Sequence, residues 1–235
     1  MKTILITGAN RGLGFELTKQ LALKGNHVLM TGRNIEALEK GRRELLKLDP
    51  SLSLEIMKLD LEDSASFPGF CQELKQKHNS LDVLIHNAAI LNNVDRQGSI
   101  LSLDESLIRK TMEINALGPM ILTQHLLPLL KNGSRIVNIS ARPALFRNLI
   151  NSPRFPAYRL SKLLFHGWSV IMARELQEKG IVVVNMHPGW IRTDMGGQNA
   201  SLSVEEGADT AVWLSLEAPD EVHGKFYMER KPLDW

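Results

Sequence analysis

Short runs of apolar, often β-branched residues alternate along the chain with longer segments in which apolar residues recur every three or four positions. The short runs predict buried strands and the longer segments predict amphipathic helices. We predict seven strands, at 3–7, 27–31, 54–58, 82–86, 135–140, 181–187 and 225–228. We predict six helices, at 12–24, 35–48, 64–78, 104–130, 156–179 and 204–217.

The regular alternation of strands and helices predicts the fold class. Parallel strands need crossover connections, and helices in those connections cover both faces of the sheet. We therefore expect an α/β protein with a Rossmann-type, doubly wound parallel sheet of about seven strands. Gly25 and Gly180 stand where helices commonly end. No repeat, low-complexity tract or linker divides the chain, so we predict a single domain over residues 1–235.

Composition narrows the class of protein further. The 235 residues are 43% hydrophobic and 23% charged, which is typical of a globular protein. The net charge of +2 comes from 28 basic and 26 acidic residues that are mixed along the chain, so we expect no nucleic-acid partner. The single cysteine, Cys71, excludes an intrachain disulfide and fits a reducing compartment. No apolar run approaches the roughly 18 residues of a membrane span, and we expect a cytoplasmic protein. Nothing in the sequence predicts a metal site.

A glycine-rich turn, "ILITGANRGLG", leads from the first predicted strand into the first helix. Gly8, Gly12 and Gly14 allow a tight turn, a close approach to a pyrophosphate, and close packing of helix on strand. The helix N-terminus also favours phosphate. Similar loops join strands and helices in proteins that bind nothing there, but this position in a strand-turn-helix unit favours a dinucleotide. The spacing of these glycines resembles that of the short-chain dehydrogenase/reductase family.

Other segments extend the resemblance over nearly the whole chain: "KLDL", "HNAA", "MEINALGP", "IVNISA", "PAYRLSK" and "HPGWIRTDMGG". The later segments, with the C-terminal "LDW", are most similar to the C-factor-like and sniffer-like carbonyl reductase subgroup. "HNAA" departs from the usual NNAG at His86 and Ala89; His86 has the profile of an acid or base, or of a satisfied structural histidine. The resemblance implies cofactor contacts from Gly8, Asn10, Arg11, Gly12, Leu13, Gly14, Arg33, Asn34, Asp60, Leu61, Asn87, Ala88, Tyr158, Lys162, Pro188, Gly189, Ile191 and Thr193.

The end of the second strand bears on the choice of nicotinamide cofactor. Enzymes that use NAD usually place an acidic residue there, whereas this chain has Gly32 followed by Arg33. A guanidinium can bind a 2′-phosphate that a carboxylate would repel. Arg11 could approach the same phosphate. Each arginine alone is typical of a solvated surface group, but the two together favour NADP(H) over NAD(H) as the cofactor.

Four polar residues carry the expected chemistry: Asn115, Ser140, Tyr158 and Lys162. Tyr158 and Lys162 are four residues apart and share one helix face. The resemblance implies that Ser140 hydrogen-bonds the substrate oxygen, Tyr158 transfers a proton, and Lys162 lowers the tyrosine pKa and binds the nicotinamide ribose. Taken one by one, these residues are also compatible with a surface pair, a turn cap and a buried structural amide.

Pro119 adds a physical argument for Asn115. Proline has no N–H, so the carbonyl of residue 115 loses its helical partner and the helix should be disturbed there. Such a carbonyl needs another donor, and water is the obvious one. This agrees with the family's asparagine, whose main chain holds a water in a proton relay.

The substrate end has a short covering segment. About ten residues separate Thr193 from the next predicted helix, which suggests an open and tolerant pocket with Trp190 in its wall. Arg142, Phe146, Arg147, Arg154 and Phe155 could favour an anionic or aromatic substrate, or could be loop residues in solvent.

The resulting functional prediction is an NADPH-dependent oxidoreductase that reduces a small-molecule carbonyl to an alcohol, with Tyr158 as proton donor. The alternative is a signalling or redox-sensing protein that binds NADP(H) with little turnover. A sugar epimerase or dehydratase is disfavoured by the short segment after Thr193. We expect no membrane partner. The resemblance implies a homo-oligomer, a dimer or tetramer, formed through the apolar helices at 104–130 and 156–179, although either helix could be covered in another way.

Overall fold

A single eight-stranded sheet forms the centre of the computed structural model, which describes all 235 residues. The spatial order is β3-β2-β1-β4-β5-β6-β7-β8. The first seven strands are parallel and β8 is antiparallel to β7, so the predicted doubly wound sheet is confirmed. The strands are β1 (Thr3–Thr7), β2 (His27–Gly32), β3 (Leu54–Lys58), β4 (Leu81–His86), β5 (Leu130–Ile139), β6 (Val182–Met186), β7 (Phe226–Met228) and β8 (Lys231–Leu233).

Helices connect the strands close to the predicted positions. They are α1 (Gly12–Leu23), α2 (Ile35–Leu48), α3 (Phe67–Lys77), α4 (Glu105–Met112), α5 (Gly118–Leu126), α6 (Phe146–Leu149), α7 (Pro156–Leu176) and α8 (Val204–Leu216). Gly25 and Gly180 have φ of 79° and 63°, which confirms them as helix-ending glycines. None of the helices combines the length and hydropathy needed to cross a membrane.

Helices cover both faces of the sheet, and this explains why its central strands are apolar without interruption. Alternate residues of β1 enter different cores: Ile4 and Ile6 pack on one face and Leu5 on the other. The first core receives residues from α1, α2 and α8, and the second from α3, α5 and α7. The two cores hold the strand ends in fixed register, and these ends carry the candidate site.

The segment predicted as one helix over 104–130 is interrupted. Residues Glu113–Leu117 are π-helical and join α4 to α5, in which Pro119 is the second residue. The predicted disturbance before Pro119 is therefore present, and its form agrees with a proline that cannot donate to the carbonyl four residues earlier. The helix also ends before residue 130, because Leu130 already pairs with Leu81 in the sheet.

The prediction of about seven strands omitted β8. Glu229 and Arg230 form the two-residue turn between β7 and β8, and both have positive φ, 51° and 57°. Such turns usually contain Asn or Gly, so the sequence gives no hairpin signal here. Pro232 is tolerated because β8 is an edge strand.

Candidate active site

One large cavity opens at the carboxyl ends of β1, β4, β5 and β6, with a volume of about 940 Å³. Clefts at the strand ends of open parallel sheets are the usual ligand sites of this architecture. The cavity brings together all the predicted cofactor-binding residues except Asn34. Of the predicted catalytic residues it is lined by Ser140, Tyr158 and Lys162, whereas Asn115 lies behind the wall.

The glycine-rich turn is shaped by a close approach of backbone to backbone. A Cβ on Gly14 would lie 2.2 Å from the carbonyl oxygen of Gly8, so only glycine fits at position 14. Gly8 itself has a φ of 68°, which other residues rarely adopt. Asn87 secures the turn to the end of β4, since its amide donates to the carbonyls of Thr7 and Gly8 at 2.9 and 3.1 Å.

The start of α1 fits a phosphate group. Its N-cap residue, Arg11, provides no side-chain acceptor for the first backbone N–H groups, and the first turn contains no acidic residue. Gly12, Leu13 and Gly14 at this end of the helix line the cavity. Unpaired N–H groups and the helix dipole both favour an anion at this point. This chain can therefore hold a dinucleotide pyrophosphate where the sequence predicted it.

The two arginines of the predicted 2′-phosphate site differ in their surroundings. Arg33 is exposed beyond the end of β2 and lines the cavity without an ion-pair partner. Arg11 forms an exposed ion pair with Asp194 at 2.5 Å. The side chain of Asn34 caps α2 by accepting from the N–H of Ala37 at 2.9 Å, and Asn34 does not line the cavity. Its predicted cofactor contact thus receives no support from this arrangement.

Ser140 follows the last residue of β5 and carries a buried hydroxyl with no hydrogen-bond partner. Its backbone N–H donates to the carbonyl of Met186 at 2.7 Å, which fixes the residue against β6. Buried hydroxyls nearly always have a partner. An unpartnered hydroxyl on a cavity wall is available to a ligand oxygen.

Tyr158 and Lys162 lie in the first turns of α7 and both line the cavity. The Lys162 ammonium is buried and donates to the carbonyl of Ile139 at 2.9 Å. Burial lowers the pKa of Lys162 to about 7 and raises the pKa of Tyr158 to about 12. The tyrosine therefore stays protonated at neutral pH, and the lowering of its pKa that was expected from Lys162 is not present.

Asn115 has a structural side chain. Its amide oxygen accepts from the N–H of Ile90 at 2.8 Å, and its nitrogen donates to the carbonyl of Ile90 at 2.9 Å and to the hydroxyl of Ser161 at 3.0 Å. Ser161 in turn donates to the carbonyl of Tyr158 at 2.7 Å. The side chain thus links the loop after β4 to the first turn of α7, as the buried-amide alternative expected, and any relay role falls to its main-chain carbonyl.

Sequence reasoning missed Asp95, which holds the start of α7. The carboxylate is buried and accepts from the N–H groups of Ala157 and Tyr158 at 3.0 and 2.8 Å. The N–H of Phe155, whose φ is 58°, donates to the Asp95 carbonyl at 3.1 Å. Asp95 is about sixty residues from α7 in the chain and belongs to no motif, so no sequence signal indicates this cap.

Arg159 was also missed as an organising residue. Its buried guanidinium donates to the carbonyls of Pro143, Ser152 and Asn148, which belong to the segment between β5 and α7. Loop carbonyls that leave water need such donors. Arg159 therefore shapes the cavity wall that carries Arg142, Arg154 and Phe155. Phe146 and Arg147, two of the residues predicted to favour a substrate, are exposed and lie outside the cavity.

Two histidines near the site are neutral, His86 in a buried position and His187 in a partly buried one. The Nε2 atom of His86 lies 2.7 Å from the hydroxyl of Thr123, which itself donates to the carbonyl of Pro119. His86 must then be the donor in that pair, as a structural histidine would be. Burial is the main cause that lowers its pKa, to about 3, and the pKa of His187, to about 4.

The covering segment between β6 and α8 is short, as predicted, because α8 begins at Val204. Several side chains hold it in place. Arg96 donates to the carbonyl of Met195 at 2.6 Å, Trp190 donates to the carbonyl of Gly196 at 2.8 Å, and Arg11 pairs with Asp194. Trp190 lines the cavity, as expected.

A Rossmann-type sheet with a phosphate-binding turn and a Ser, Tyr and Lys at one cavity defines an oxidoreductase of the nucleotide-binding class. The short chain dehydrogenase family model matches residues 2–202, and the chain belongs to this family. The short-chain dehydrogenase anuI of Penicillium roqueforti is 32% identical over 98% of this chain and 95% of that protein. Carbonyl reductase [NADPH] 1 of Oryctolagus cuniculus is 31% identical over 100% of this chain and 98% of that protein.

Solved structures of carbonyl reductases superpose closely on this chain. The carbonyl reductase Sniffer of D. melanogaster superposes with a TM-score of 0.86 at 28% identity, and the match covers 100% of both chains. The NADPH-bound carbonyl reductase from chicken fatty liver superposes with a TM-score of 0.86 at 26% identity, over 100% of this chain and 94% of that one. The similarity to the carbonyl reductase subgroup that the sequence motifs indicated is confirmed.

Proposed function

We propose that this protein is an NADPH-dependent reductase that converts a ketone or aldehyde into an alcohol. The observation that carries the proposal is the buried, unpartnered hydroxyl of Ser140 in the same cavity as Tyr158 and Lys162. A developing alkoxide needs donors placed in advance at its oxygen, and this cavity provides two of them.

NADP(H) is the cofactor of this enzyme. The exposed Arg33 at the end of β2, with no acidic residue at that point, supports recognition of a 2′-phosphate. The relatives named carbonyl reductase [NADPH] and the NADPH-bound avian structure support the same choice. When bound, the reduced cofactor supplies the hydride for the carbonyl carbon.

Ser140 and Tyr158 then act on the carbonyl oxygen. Ser140 donates a hydrogen bond that strengthens as negative charge develops, and Tyr158 transfers its proton. The raised pKa of Tyr158, about 12, keeps the phenol protonated before the reaction. Because an ammonium stabilises the resulting phenolate, protonated Lys162 assists the transfer, and its pKa of about 7 allows it to take part in returning the proton.

Asn115 contributes through its main chain. Pro119 cannot donate to the carbonyl of residue 115, so this carbonyl can accept from a water that passes protons from solvent to Lys162. The side chain is committed to Ile90 and Ser161 and keeps the π-helical segment against α7. Asn115 therefore combines a positioning side chain with a main-chain acceptor.

The test is NADPH oxidation against a panel of ketones and aldehydes that includes aromatic and anionic members. We expect at least one class to be reduced, with kcat falling about 10²-fold or more in Ser140→Ala, the scale of a lost oxyanion donor. Ser201→Ala is a matched control, because Ser201 lines the same cavity on the covering segment. Tight NADPH binding without oxidation by any carbonyl would instead favour the alternative of a signalling or redox-sensing protein.

We also propose that the chain is a single-domain subunit of a cytoplasmic homo-oligomer. The exposed apolar residues Leu160, Leu164 and Ile171 on α7 support association through this helix. Light scattering coupled to gel filtration tests the oligomer, and subcellular fractionation tests the compartment. A monomer at micromolar concentration would contradict the proposed homo-oligomer.

A further inference from the structure

Two histidines and a glutamate meet at the end of the sheet opposite the cavity. His27 is the first residue of β2, Glu55 is the second residue of β3, and His78 follows α3. Gly32, at the other end of β2, leads to the cavity, so the two locations are separated by roughly 16 Å along the strand. The cluster therefore takes no part in the proposed reaction.

The three side chains converge on one point. The Nε2 atoms of His27 and His78 lie 3.6 and 2.9 Å from the same oxygen, Oε2 of Glu55. One ligand atom from each residue falls within 4.8 Å of the others. In a tetrahedral zinc site with bonds of about 2.1 Å, neighbouring ligand atoms are about 3.4 Å apart. The two distances to Oε2, 3.6 and 2.9 Å, lie within about half an ångström of this spacing, and the two histidine ligand atoms are at most 4.8 Å apart.

His27 is oriented toward the cluster by its other ring nitrogen. Its Nδ1 lies 2.7 Å from the hydroxyl of Ser53, while its buried Nε2 has no hydrogen-bond partner. If Nδ1 donates to Ser53, Nε2 presents a lone pair to the cluster. A ligating histidine is commonly held in this way by a partner on its second nitrogen.

The two carboxylate oxygens of Glu55 contact different neighbours. Lys77 binds Oε1 at 3.1 Å, while the two histidines approach Oε2. The Lys77 side chain is 45% exposed and can remain on Oε1 or move into solvent. A metal on Oε2 therefore needs no displacement of a buried cation.

We propose that His27, Glu55 and His78 bind a divalent transition metal of the Zn²⁺ class, with water at a fourth position. Imidazole and carboxylate ligands suit Zn²⁺, whereas Mg²⁺ prefers oxygen ligands alone. The side chains are 16–23% exposed, so the cluster lies close to the protein surface. A bound ion would tie β2, β3 and the end of α3 together.

The experiment is calorimetric titration of the metal-stripped full-length protein with Zn²⁺. We expect one ion per chain and affinity at least 10-fold weaker in His27→Gln, His78→Gln and Glu55→Gln, as expected when a ligand is removed. At about 100 times Kd the Tm should rise by roughly 5–10 °C. His125→Gln is the matched control, because His125 is an exposed histidine outside the cluster, and it should bind like the parent.

Folding of each variant is checked by NADPH binding and by Tm in EDTA, so that a lost fold is not mistaken for a lost ligand. Three substitutions keep the test decisive if one of them unfolds. Zn²⁺ affinity that is unchanged in every folded cluster variant, or an equal rise of Tm with Mg²⁺, would overturn the proposal. Equal loss of affinity in His125→Gln would overturn it as well.

Discussion

Replacing Asp95 with asparagine should disturb the start of α7, which carries Tyr158 and Lys162, while leaving the binding of the cofactor nearly unchanged. Asp95 accepts from the N–H groups of Ala157 and Tyr158, and it is buried but does not line the cavity. The asparagine has nearly the same shape but only one acceptor oxygen, and its amide would face a backbone donor. One buried N–H is then left unpaired at the start of α7.

The expected cost follows from these contacts. A buried donor without a partner costs about 1–3 kcal/mol, and the loss of a charged acceptor at a helix start adds about 1 kcal/mol. We therefore expect the free energy of unfolding to fall by about 2–4 kcal/mol, or the Tm by roughly 6–12 °C. A small displacement of a catalytic group can cost up to about 10²-fold in rate. We expect kcat to fall at least about 10-fold while the Kd for NADPH changes less than about threefold.

Asp104→Asn is the control for this experiment. Asp104 also accepts from two backbone N–H groups, those of Ser106 and Leu107, but it is exposed at the start of α4. Both groups donate to the same oxygen, Oδ1, which asparagine keeps, so we expect a cost of about 1 kcal/mol or less and unchanged kcat. Chemical denaturation and steady-state kinetics on both variants provide the comparison. Equal losses of stability, or an unchanged kcat in Asp95→Asn, would refute the positioning role.

Three further predictions concern the cofactor, the glycine turn and acid stability. Arg33→Glu should raise the Kd for NADPH at least about 10-fold and leave that for NADH within about threefold, because only NADPH has the phosphate; equal changes by titration would contradict this. Gly14→Ala should abolish NADPH binding or folding, since its Cβ would meet the Gly8 oxygen at 2.2 Å, whereas Gly69→Ala in the open face of α3 should stabilise by up to about 1 kcal/mol. Burial is the main cause that lowers the pKa values of His86, His166 and His187, to about 3, 3 and 4. Below about pH 6.5 these histidines are therefore protonated in the unfolded chain but stay neutral in the folded protein. Stability should then fall as the pH drops from 6.5 toward 4, by about 1.4 kcal/mol per pH unit for each histidine, and a flat Tm across this range would exclude the effect.

The sequence predicts those parts of the fold that depend on local pattern. Apolar runs marked the first seven strands because both faces of the sheet are covered, and Gly25 and Gly180 marked helix ends. The glycine-rich turn and the order of Ser140, Tyr158 and Lys162 indicated the cavity, because parallel strands end at one edge. Pro119 indicated the break in the helix, since the missing N–H is a property of the residue itself.

The parts that escaped prediction depend on contacts between distant segments. The turn at Glu229 and Arg230 has unfavourable residues for positive φ, but Arg230 binds Asp209 with its guanidinium and Thr210 with its N–H at 3.1 Å. Asp95 caps a helix about sixty residues later, and the Asn115 side chain pairs with Ile90. The pKa of Tyr158 depends on its burial, which sequence spacing cannot give.

The turnover of Tyr158→Phe tests most directly whether Tyr158 supplies the proton in carbonyl reduction. The variant keeps the ring and loses only the phenol proton, so NADPH should bind with a Kd within about threefold of the parent. With the best carbonyl of the panel, kcat should fall at least about 10²-fold, the scale of lost acid catalysis. Tyr227→Phe is the control, because Tyr227 is the other tyrosine of the chain and packs in the core against Trp213. Turnover close to the parent's in Tyr158→Phe would exclude Tyr158 as the proton donor.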